Sequence, residues 1–332
     1  VRKEHPSHQS VLLDEVVFWL RPEDGGLFID CTLGAGGHSE AMLAAGPETR
    51  VIGIDRDPEA IAIARSRLAK FGDRFQAVQS NFRDIASVAD DLKLEEARGI
   101  LADFGVSSMQ LDESDRGFSF SSDSPLDMRM DQSRGETAAD LINRLGEKEL
   151  ADLIFEYGEE RASRRVARAI GREREKTPIA TTRQLADLVA RALRVKGRWR
   201  IHPATRTFQA IRIAVNDELG AIDDFLPEAI SLLEPGGRLA IISFHSLEDR
   251  RVKQSFQRES GRCTCPVRRI AGSNLVCQAC GACRRVQSLT RKPVTCSQQE
   301  VERNPRSRSA RLRVCEKLPP ADAGTKRNRD ED

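Results

Sequence analysis

The sequence predicts an α/β protein: a parallel, Rossmann-like sheet with a helical insertion between its fourth and fifth strands. Three observations carry this. An apolar run ends in a glycine-rich turn and leads into a helix-like stretch, Phe28-Ile29-Asp30-Cys31-Thr32-Leu33-Gly34-Ala35-Gly36-Gly37-His38-Ser39. A second apolar run, Val51-Ile52-Gly53-Ile54, ends at an acid, Asp55. Strand-like and helix-like stretches then alternate as far as Asp103 and stop, the chain turning polar and helical from Leu111 to about Ile201. Such alternation means parallel strands joined by right-handed crossovers.

Each element has a local signature. Val11 to Leu20 is an amphipathic helix leading into the first strand. The helix after the glycine turn begins near Glu40 and runs to Ala45. Asp57-Pro58 opens the next, with Ile61, Ala64, Arg65 and Leu68 at helical spacing and Pro58 in the first turn. Phe75 to Val78 is a third strand, ending at Ser80-Asn81-Phe82-Arg83-Asp84, and Gly99 to Ala102 a fourth, ending at Asp103-Phe104-Gly105. In the insertion, Leu150, Leu153, Ile154 and Tyr157 recur at helical spacing. Arg161, Arg164, Arg165, Arg168 and Arg172 crowd one side of the following helix, opposite Ala162, Val166, Ala169 and Ile170. Thr181 with Gln184 is a capping box for a helix through Leu193. The sheet pattern resumes with helices from Thr205 to Leu219 and Ile222 to Leu233. A Pro235-Gly236-Gly237 turn then enters the strand Arg238 to Ser243, and Phe244 to Asp249 opens another helix. From Gly261 the composition shifts to Cys, Arg and Pro; Arg308 to Cys315 alternates as a last strand, and the charged residues after Pro319 suit a disordered tail. The expected organisation is a sheet domain of residues 8–111 and 205–316, a helical substrate-recognition insertion of 112–204, a Cys-rich segment of 261–300 within the C-terminal part, and a tail of 319–332.

Length and composition bound the rest. The 332 residues suffice for one large domain or two moderate ones. With 31% charged residues and no apolar stretch near the roughly 20 residues of a membrane span, the chain reads as soluble. Val1 to Ser10 lacks the apolar core of an export signal, so a cytoplasmic protein is expected. A net charge of +2 does not announce nucleic-acid binding; the placement of the basic residues must carry that case. Seven of the 8 cysteines lie between Cys263 and Cys315, a clustering that in a reducing compartment suggests metal before disulfides.

Ligands of open α/β sheets bind beyond the carboxyl ends of the strands. Asp55, Phe82 and Asp103 are therefore expected in one crevice with the glycine turn. The dinucleotide fingerprint wants a third glycine where Ser39 stands, and no Gly-Lys-Ser/Thr follows as in a P-loop. The pattern suits S-adenosylmethionine better than a nicotinamide cofactor. Gly34 to Gly37 would approach the methionine part, Asp55 the ribose hydroxyls, Phe82 the adenine face, and Asp103 the reacting methyl. Bland readings stand beside these: Asp55 and Asp103 as capping or surface acids, and Phe82 as a core residue.

Eight motifs stand in order: His8-Gln9-Ser10-Val11-Leu12-Leu13; Gly36-Gly37-His38; Asp103-x-Gly105-Val106-Ser107-Ser108-x-Gln110-Leu111-Asp112; Arg116-Gly117-Phe118-Ser119-Phe120; Pro125-Leu126-Asp127-Met128-Arg129-Met130-Asp131; Tyr157-Gly158-Glu159-Glu160; His202-Pro203-Ala204-Thr205-Arg206-Thr207-Phe208-Gln209-Ala210; and Ser243-Phe244-His245-Ser246-Leu247-Glu248-Asp249-Arg250. Together they closely resemble the bacterial small-subunit ribosomal RNA cytosine-N4 methyltransferase family, MraW/RsmH, from His8 to about Glu316. The resemblance implies a class I methyltransferase sheet with a helical substrate-recognition insertion. It also implies cofactor contacts at Gly36, Gly37, His38, Asp55, Phe82, Asp103 and Gln110, and N4-methylcytidine in the decoding region as product. Small-subunit ribosomal RNA, within an assembled or nearly assembled subunit, is the expected partner. Around Asp103 the chain has Ala102 and Phe104 where family members often carry leucine, a difference expected to alter packing only.

Cytosine's exocyclic amine is a poor nucleophile because its lone pair is delocalised into the ring. Catalysis then rests on alignment and on an acceptor for the charge that develops on nitrogen, for which Asp103 is the candidate. His245 could line the target pocket, though a lone histidine also suits a structural place. Phe118, Phe120 and Phe244 are stacking candidates that equally suit the core. The arginine-rich helix and the segment Arg303 to Arg313 are candidate phosphate contacts. Cys263-x-Cys265 with Cys277-x-x-Cys280-x-x-Cys283 resembles a zinc knuckle or ribbon, but the first spacing is unusual and a fifth thiol confuses the ligand set, so no metal site is assigned. A non-catalytic RNA-binding module and a nicotinamide dehydrogenase are the rival functions, separated by which cofactor binds.

Overall fold

The computed structural model describes residues 10–105, 116–120, 122–194, 202–263, 265, 270–271 and 276–320. They fall into two compact units, one of residues 9–104 with 223 onward and one of 105–222. The first unit opens with α1 (Leu13–Leu20), β1 (Gly26–Asp30), α2 (Gly37–Ala45), β2 (Thr49–Asp55), α3 (Pro58–Leu68), β3 (Phe75–Gln79), α4 (Ile85–Asp91) and β4 (Ala97–Asp103). α1 buries Val16 and Leu20 and packs against α2. β2 buries Val51, Ile52, Gly53 and Ile54 in succession, as a strand covered on both faces must. α3 starts where the sequence places it: the Asp57 carboxylate accepts the Glu59 N–H at 3.0 Å and Pro58 occupies the first turn. Gly99 in β4 makes room for a neighbour, because a Cβ there would lie 2.5 Å from the Phe28 ring of β1.

The second unit contains α5 (Ala138–Arg144), α6 (Glu147–Gly158), α7 (Ser163–Arg174), α8 (Thr182–Leu193) and α9 (Thr205–Asn216). Their apolar stripes meet in one core that includes Leu141, Leu150, Ile154, Val166, Ile170, Leu185, Phe208 and Ile211. Ala167 is fully buried in α7 while Ala169 is only partly so, which turns the apolar stripe slightly from its expected line. The Thr181–Gln184 capping box is present: the Thr181 hydroxyl accepts from Gln184 N–H at 3.3 Å, and the Gln184 side chain accepts from Thr181 N–H at 3.1 Å. Arg164, Arg165, Arg168 and Arg172 are all exposed on α7, Arg161 is exposed in the turn before it because the helix starts only at Ser163, and Arg168 reaches Glu147 at 3.5 Å.

The helical unit extends through 222, so α9 belongs to it, although the sequence reading assigns 205 onward to the sheet domain. The reason is packing. Phe208 and Ile211 lie in the helical core, and a Cβ on Gly158 would lie 2.5 Å from the Arg206 carbonyl oxygen, so α6 and α9 approach backbone to backbone. The helix also ends sooner than Leu219. Asp217 takes a left-handed conformation (φ 47°), and α10 (Glu218–Leu232) begins immediately after it.

The chain returns to the sheet with β5 (Leu233–Ser243), α11 (Ser246–Glu259), the hairpin strands β6 (Ile270–Ala271) and β7 (Val276–Cys277), then β8 (Val286–Ser288), α12 (Gln298–Arg303) and β9 (Arg311–Lys317). The seven-stranded order is β3-β2-β1-β4-β5-β9-β8. β1 to β5 are parallel, and β9 runs antiparallel between β5 and β8. β9 starts at Arg311 rather than Arg308, because Pro305–Ser309 forms a 3₁₀ turn with the Asn304 side chain capping the Arg306 N–H. Two arginines expected to meet phosphate are engaged internally: Arg313 is buried against Asp249 at 2.6 Å, and Arg311 approaches the same carboxylate at 3.3 Å. Among the described residues no helix is long and apolar enough to cross a membrane. The tail from 321 lies outside the described residues.

Gly99→Ala tests the β1–β4 packing. Because Phe28 is fully buried, the added methyl should destabilise the protein by about 1–3 kcal/mol in urea unfolding, against no loss for alanine at Gly171 of α7, where a Cβ would meet only Glu147 Oε2 at 3.9 Å.

Candidate active site

Strand order reverses between β1 and β4, each with its next strand on the opposite side, which opens a crevice at their carboxyl ends. Register brings three acids there. Asp30 ends β1 opposite Gly53 and Leu101, Asp55 ends β2, and Asp103 ends β4 opposite Ile242 of β5. A fourth, Glu248, lies in the first turn of α11 just beyond β5.

The turn after β1 is tied to its neighbours on both sides. Cys31 N–H donates to the Leu101 carbonyl at 2.8 Å and Leu33 N–H to the Ile54 carbonyl at 2.9 Å. Gly34 N–H donates to Asp55 Oδ2 at 2.8 Å, and the other oxygen of Asp55 accepts from Asp57 N–H at 3.0 Å. The Thr32 hydroxyl accepts from Asp103 N–H at 2.6 Å. Gly36 has φ 79° and caps α2, a left-handed geometry that favours glycine. Gly37 follows at the first position of α2, where a Cβ would collide with the Ser10 hydroxyl at 2.1 Å. Ser39, which stands where the dinucleotide fingerprint wants glycine, is fully buried and donates to Asp30 Oδ2 at 2.7 Å.

The electrostatics follow from this crowding. Burial first, and then the charges of Asp30 and Glu248, push the Asp103 carboxyl well above the ordinary carboxylate range. Its Oδ1 is buried with no hydrogen-bond partner among the described residues. Burial raises Asp30 to about 6 even though Ser39 and Thr32 N–H donate to it. Burial also lifts Asp55, opposed by the N–H groups of Asp57 and Gly34. Desolvated carboxyls gathered at neighbouring strand ends, Asp103 under the added charges of Asp30 and Glu248, are a site prepared for a cation and for hydroxyl donors. S-adenosylmethionine carries both, as a sulfonium and a ribose, so these residues fit it.

The remaining expected site residues take varied places. Phe82 begins the turn after β3, half-buried, its ring 5.4 Å from those of Phe104 and Phe225. His38 is buried, its Nε2 2.9 Å from the Val11 carbonyl oxygen, so its ring orders the approach to α1. Gln110 lies outside the described residues. His245 caps α11: its Nδ1 accepts from Glu248 N–H at 3.4 Å, and its Nε2 lies 3.1 Å from Glu248 Oε1 without hydrogen-bond alignment. Phe118 and Phe120 pack in or against the helical core and Phe244 against the sheet core, so all three are packing residues. Asp30, Thr32 and Glu248 were not singled out from sequence. The available signal was that Asp30 closes an apolar run that the sheet buries.

The family profile of the MraW methylase family matches residues 5–318. The chain belongs to that family. Its relatives include proteins named ribosomal RNA small subunit methyltransferase H. That of Geobacter sp. (strain M21) is 51% identical over 94% of this chain and 98% of the relative. That of Anaeromyxobacter dehalogenans (strain 2CP-1) is 52% identical, and that of Carboxydothermus hydrogenoformans 48% identical, each over the same shares of both chains.

Several family motifs turn out to hold the helical unit together. The Asn216 side chain donates to the Met128 carbonyl and accepts from Met130 N–H, both at 2.8 Å, pinning Pro125-to-Asp131 to the end of α9. Gln209 donates to the Tyr157 carbonyl at 3.0 Å, and the His202 ring accepts from Ala204 N–H at 3.2 Å at the entry to α9.

Asp30 generates a pH prediction. Burial raises its folded-state pKa to about 6, above the ordinary carboxylate range of the unfolded chain, so folding favours the protonated form. Its contribution is therefore a penalty that is absent below the unfolded value and complete above the folded one. Asp30→Asn keeps one acceptor oxygen and should lose one of the two bonds from Ser39 and Thr32, yet its stability relative to the parent should rise by about 3 kcal/mol between pH 4 and 7. Urea midpoints across that range measure it; a flat difference would place Asp30 in water.

Proposed function

We propose that this chain transfers the methyl group of S-adenosylmethionine to the exocyclic N4 of a cytidine in the decoding region of small-subunit ribosomal RNA. Support comes from membership of a methylase family, from relatives named for small-subunit ribosomal RNA, and from one observation above all. Asp103 offers a buried, unpartnered carboxylate oxygen at the crevice of the switch point.

When bound, the cofactor supplies an electrophilic methyl on a cationic sulfur. The chain's residues do the rest. Asp55 accepts hydrogen bonds from the ribose hydroxyls, held in place by the N–H groups of Gly34 and Asp57. The Gly34-to-Gly37 turn borders the methionine part, and Phe82 supplies an apolar face for adenine. Gly36, Gly37, His38 and Gln110 complete the proposed cofactor set, His38 through the backbone segment it orders. Asp103 accepts a hydrogen bond from the cytosine amine as positive charge develops on its nitrogen, and Thr32 fixes the Asp103 backbone for that task. No base is needed before attack, since the proton can leave afterwards.

The helical unit is the proposed RNA-recognition part, with the exposed arginines of α7 meeting phosphates. Arg306 and Arg308, exposed on the turn before β9, are further candidates. A single cytidine set in folded RNA favours an assembled or nearly assembled small subunit as substrate, where shape helps to select it. A ribosomal substrate puts the reaction in the cytoplasm.

Labelled adenosylmethionine, incubated with small subunits lacking the modification or with naked ribosomal RNA, tests the proposal after nucleoside digestion. N4-methylcytidine should form on the subunit. Asp103→Asn should lower the rate about 10²–10³-fold, as loss of a transition-state acceptor does. Asp55→Ala should raise the KM for the cofactor more than it lowers kcat. The acceptor must be deprotonated, so the parent's rate should rise with pH through a midpoint above the ordinary carboxylate range. A different methylated nucleoside would overturn the target, and an unimpaired Asp103→Asn would overturn the assigned acceptor.

A further inference from the structure

The Cys-rich segment between α11 and β8 plays no part in the methyl transfer derived above. Its sulfurs are nevertheless gathered. The Sγ atoms of Cys263, Cys265, Cys277 and Cys280 all lie within 4.8 Å of one another. Cys263 Sγ is 3.3 Å from Cys277 Sγ and 3.6 Å from Cys280 Sγ. Four thiolates around one zinc at about 2.3 Å would place their sulfurs about 3.8 Å apart, so the spacing matches a tetrahedral set before any ion is considered. Two disulfides would instead draw the sulfurs into separate pairs, whereas Cys263 is shared between two neighbours.

Backbone donors are already aimed at these sulfurs. Cys265 N–H points to Cys263 Sγ at 3.4 Å, and the N–H groups of Ala279 and Cys280 point to Cys277 Sγ. Such bonds delocalise thiolate charge and orient ligands around a metal. The turn Cys277-Gln278-Ala279-Cys280-Gly281 closes through Gly281 N–H to the Cys277 carbonyl at 2.7 Å, with Gly281 at φ 68°. The fifth thiol is excluded by place: Cys283 Sγ lies 3.9 Å from Glu259 Oε2, outside the group.

We propose that Cys263, Cys265, Cys277 and Cys280 hold a structural zinc ion. Four soft sulfur donors suit zinc, and with every position taken by protein the site is closed to substrate. Its task is to fold a segment that has little else to fold it. Of the residues from Gly261 to Arg285, leaving aside 264 and 266–275, only Cys277 and Ala282 are buried. Past the cluster the chain is fastened to the end of α11, with Cys283 N–H donating to the Arg258 carbonyl at 3.1 Å and Arg285 N–H to the Glu259 carbonyl at 2.8 Å. The metal would thus fix the path by which the chain leaves α11 and enters β8, the edge strand of the sheet.

The full-length chain, purified under reducing conditions without chelator, should carry about one zinc by mass spectrometry of the metal. X-ray absorption at the zinc edge should show four sulfurs at about 2.3 Å. Cys283→Ser should keep the zinc and Cys280→Ser should lose it. Should Cys280→Ser fail to fold, Cys280→His restores a ligand and should regain both fold and metal. Any of three results would overturn the proposal: folded, reduced protein free of zinc; disulfide-linked peptides joining these cysteines; or zinc lost as readily from Cys283→Ser. Iron in place of zinc in the purified protein would also reject it.

Discussion

The parallel register of β1 with both β2 and β4 is the constraint on which the crevice depends. It sets the carboxyl ends of three strands side by side and so collects Asp30, Asp55 and Asp103. None of these acids is comfortable there, since burial raises all three and the charges of Asp30 and Glu248 raise Asp103 further. The site persists because the sheet around it is closely packed, with Phe28, Ile29, Ile54, Ile100 and Leu101 almost wholly buried. The crevice stores an unfavourable arrangement that a cation would relieve, the common situation at functional sites.

The glycine turn depends on the same constraint. Its N–H groups do not all wait for a ligand: one donates to Asp55, and the Thr32 hydroxyl accepts from the Asp103 N–H. The turn, the proposed ribose acceptor and the proposed amine acceptor are thereby linked by direct hydrogen bonds. A disturbance at Thr32 would be felt at Asp103 without touching its carboxylate.

Motifs that identify a family need not all touch its substrate. Gly158, Gln209 and the Met128–Met130 stretch that Asn216 holds belong to the most recognisable parts of the chain, yet their contacts here involve the backbone of the helical unit. Tight helix crossings and buried backbone groups demand particular residue types as firmly as chemistry does. His245 is similar: at the end of β5 it looks like a pocket residue, and the structure uses it as a helix cap.

The sequence by itself determined the parallel sheet, the helical insertion, the glycine turn and the strand-end placement of Asp55, Phe82 and Asp103. These features are written in local periodicity, turn residues and caps such as Asp57 and Thr181, and local signals survive without knowledge of the fold. Boundaries were less legible. The break at Asp217 depends on a left-handed residue, and the assignment of α9 to the helical unit depends on what Gly158 allows across that unit. Only the tertiary structure decided that Asp30 and Glu248 act on Asp103, that Arg313 is buried against Asp249, and that four of five clustered thiols come together. Desolvation, charge coupling and sulfur grouping are sums over residues far apart in the chain, and those sums exist only once the chain has folded.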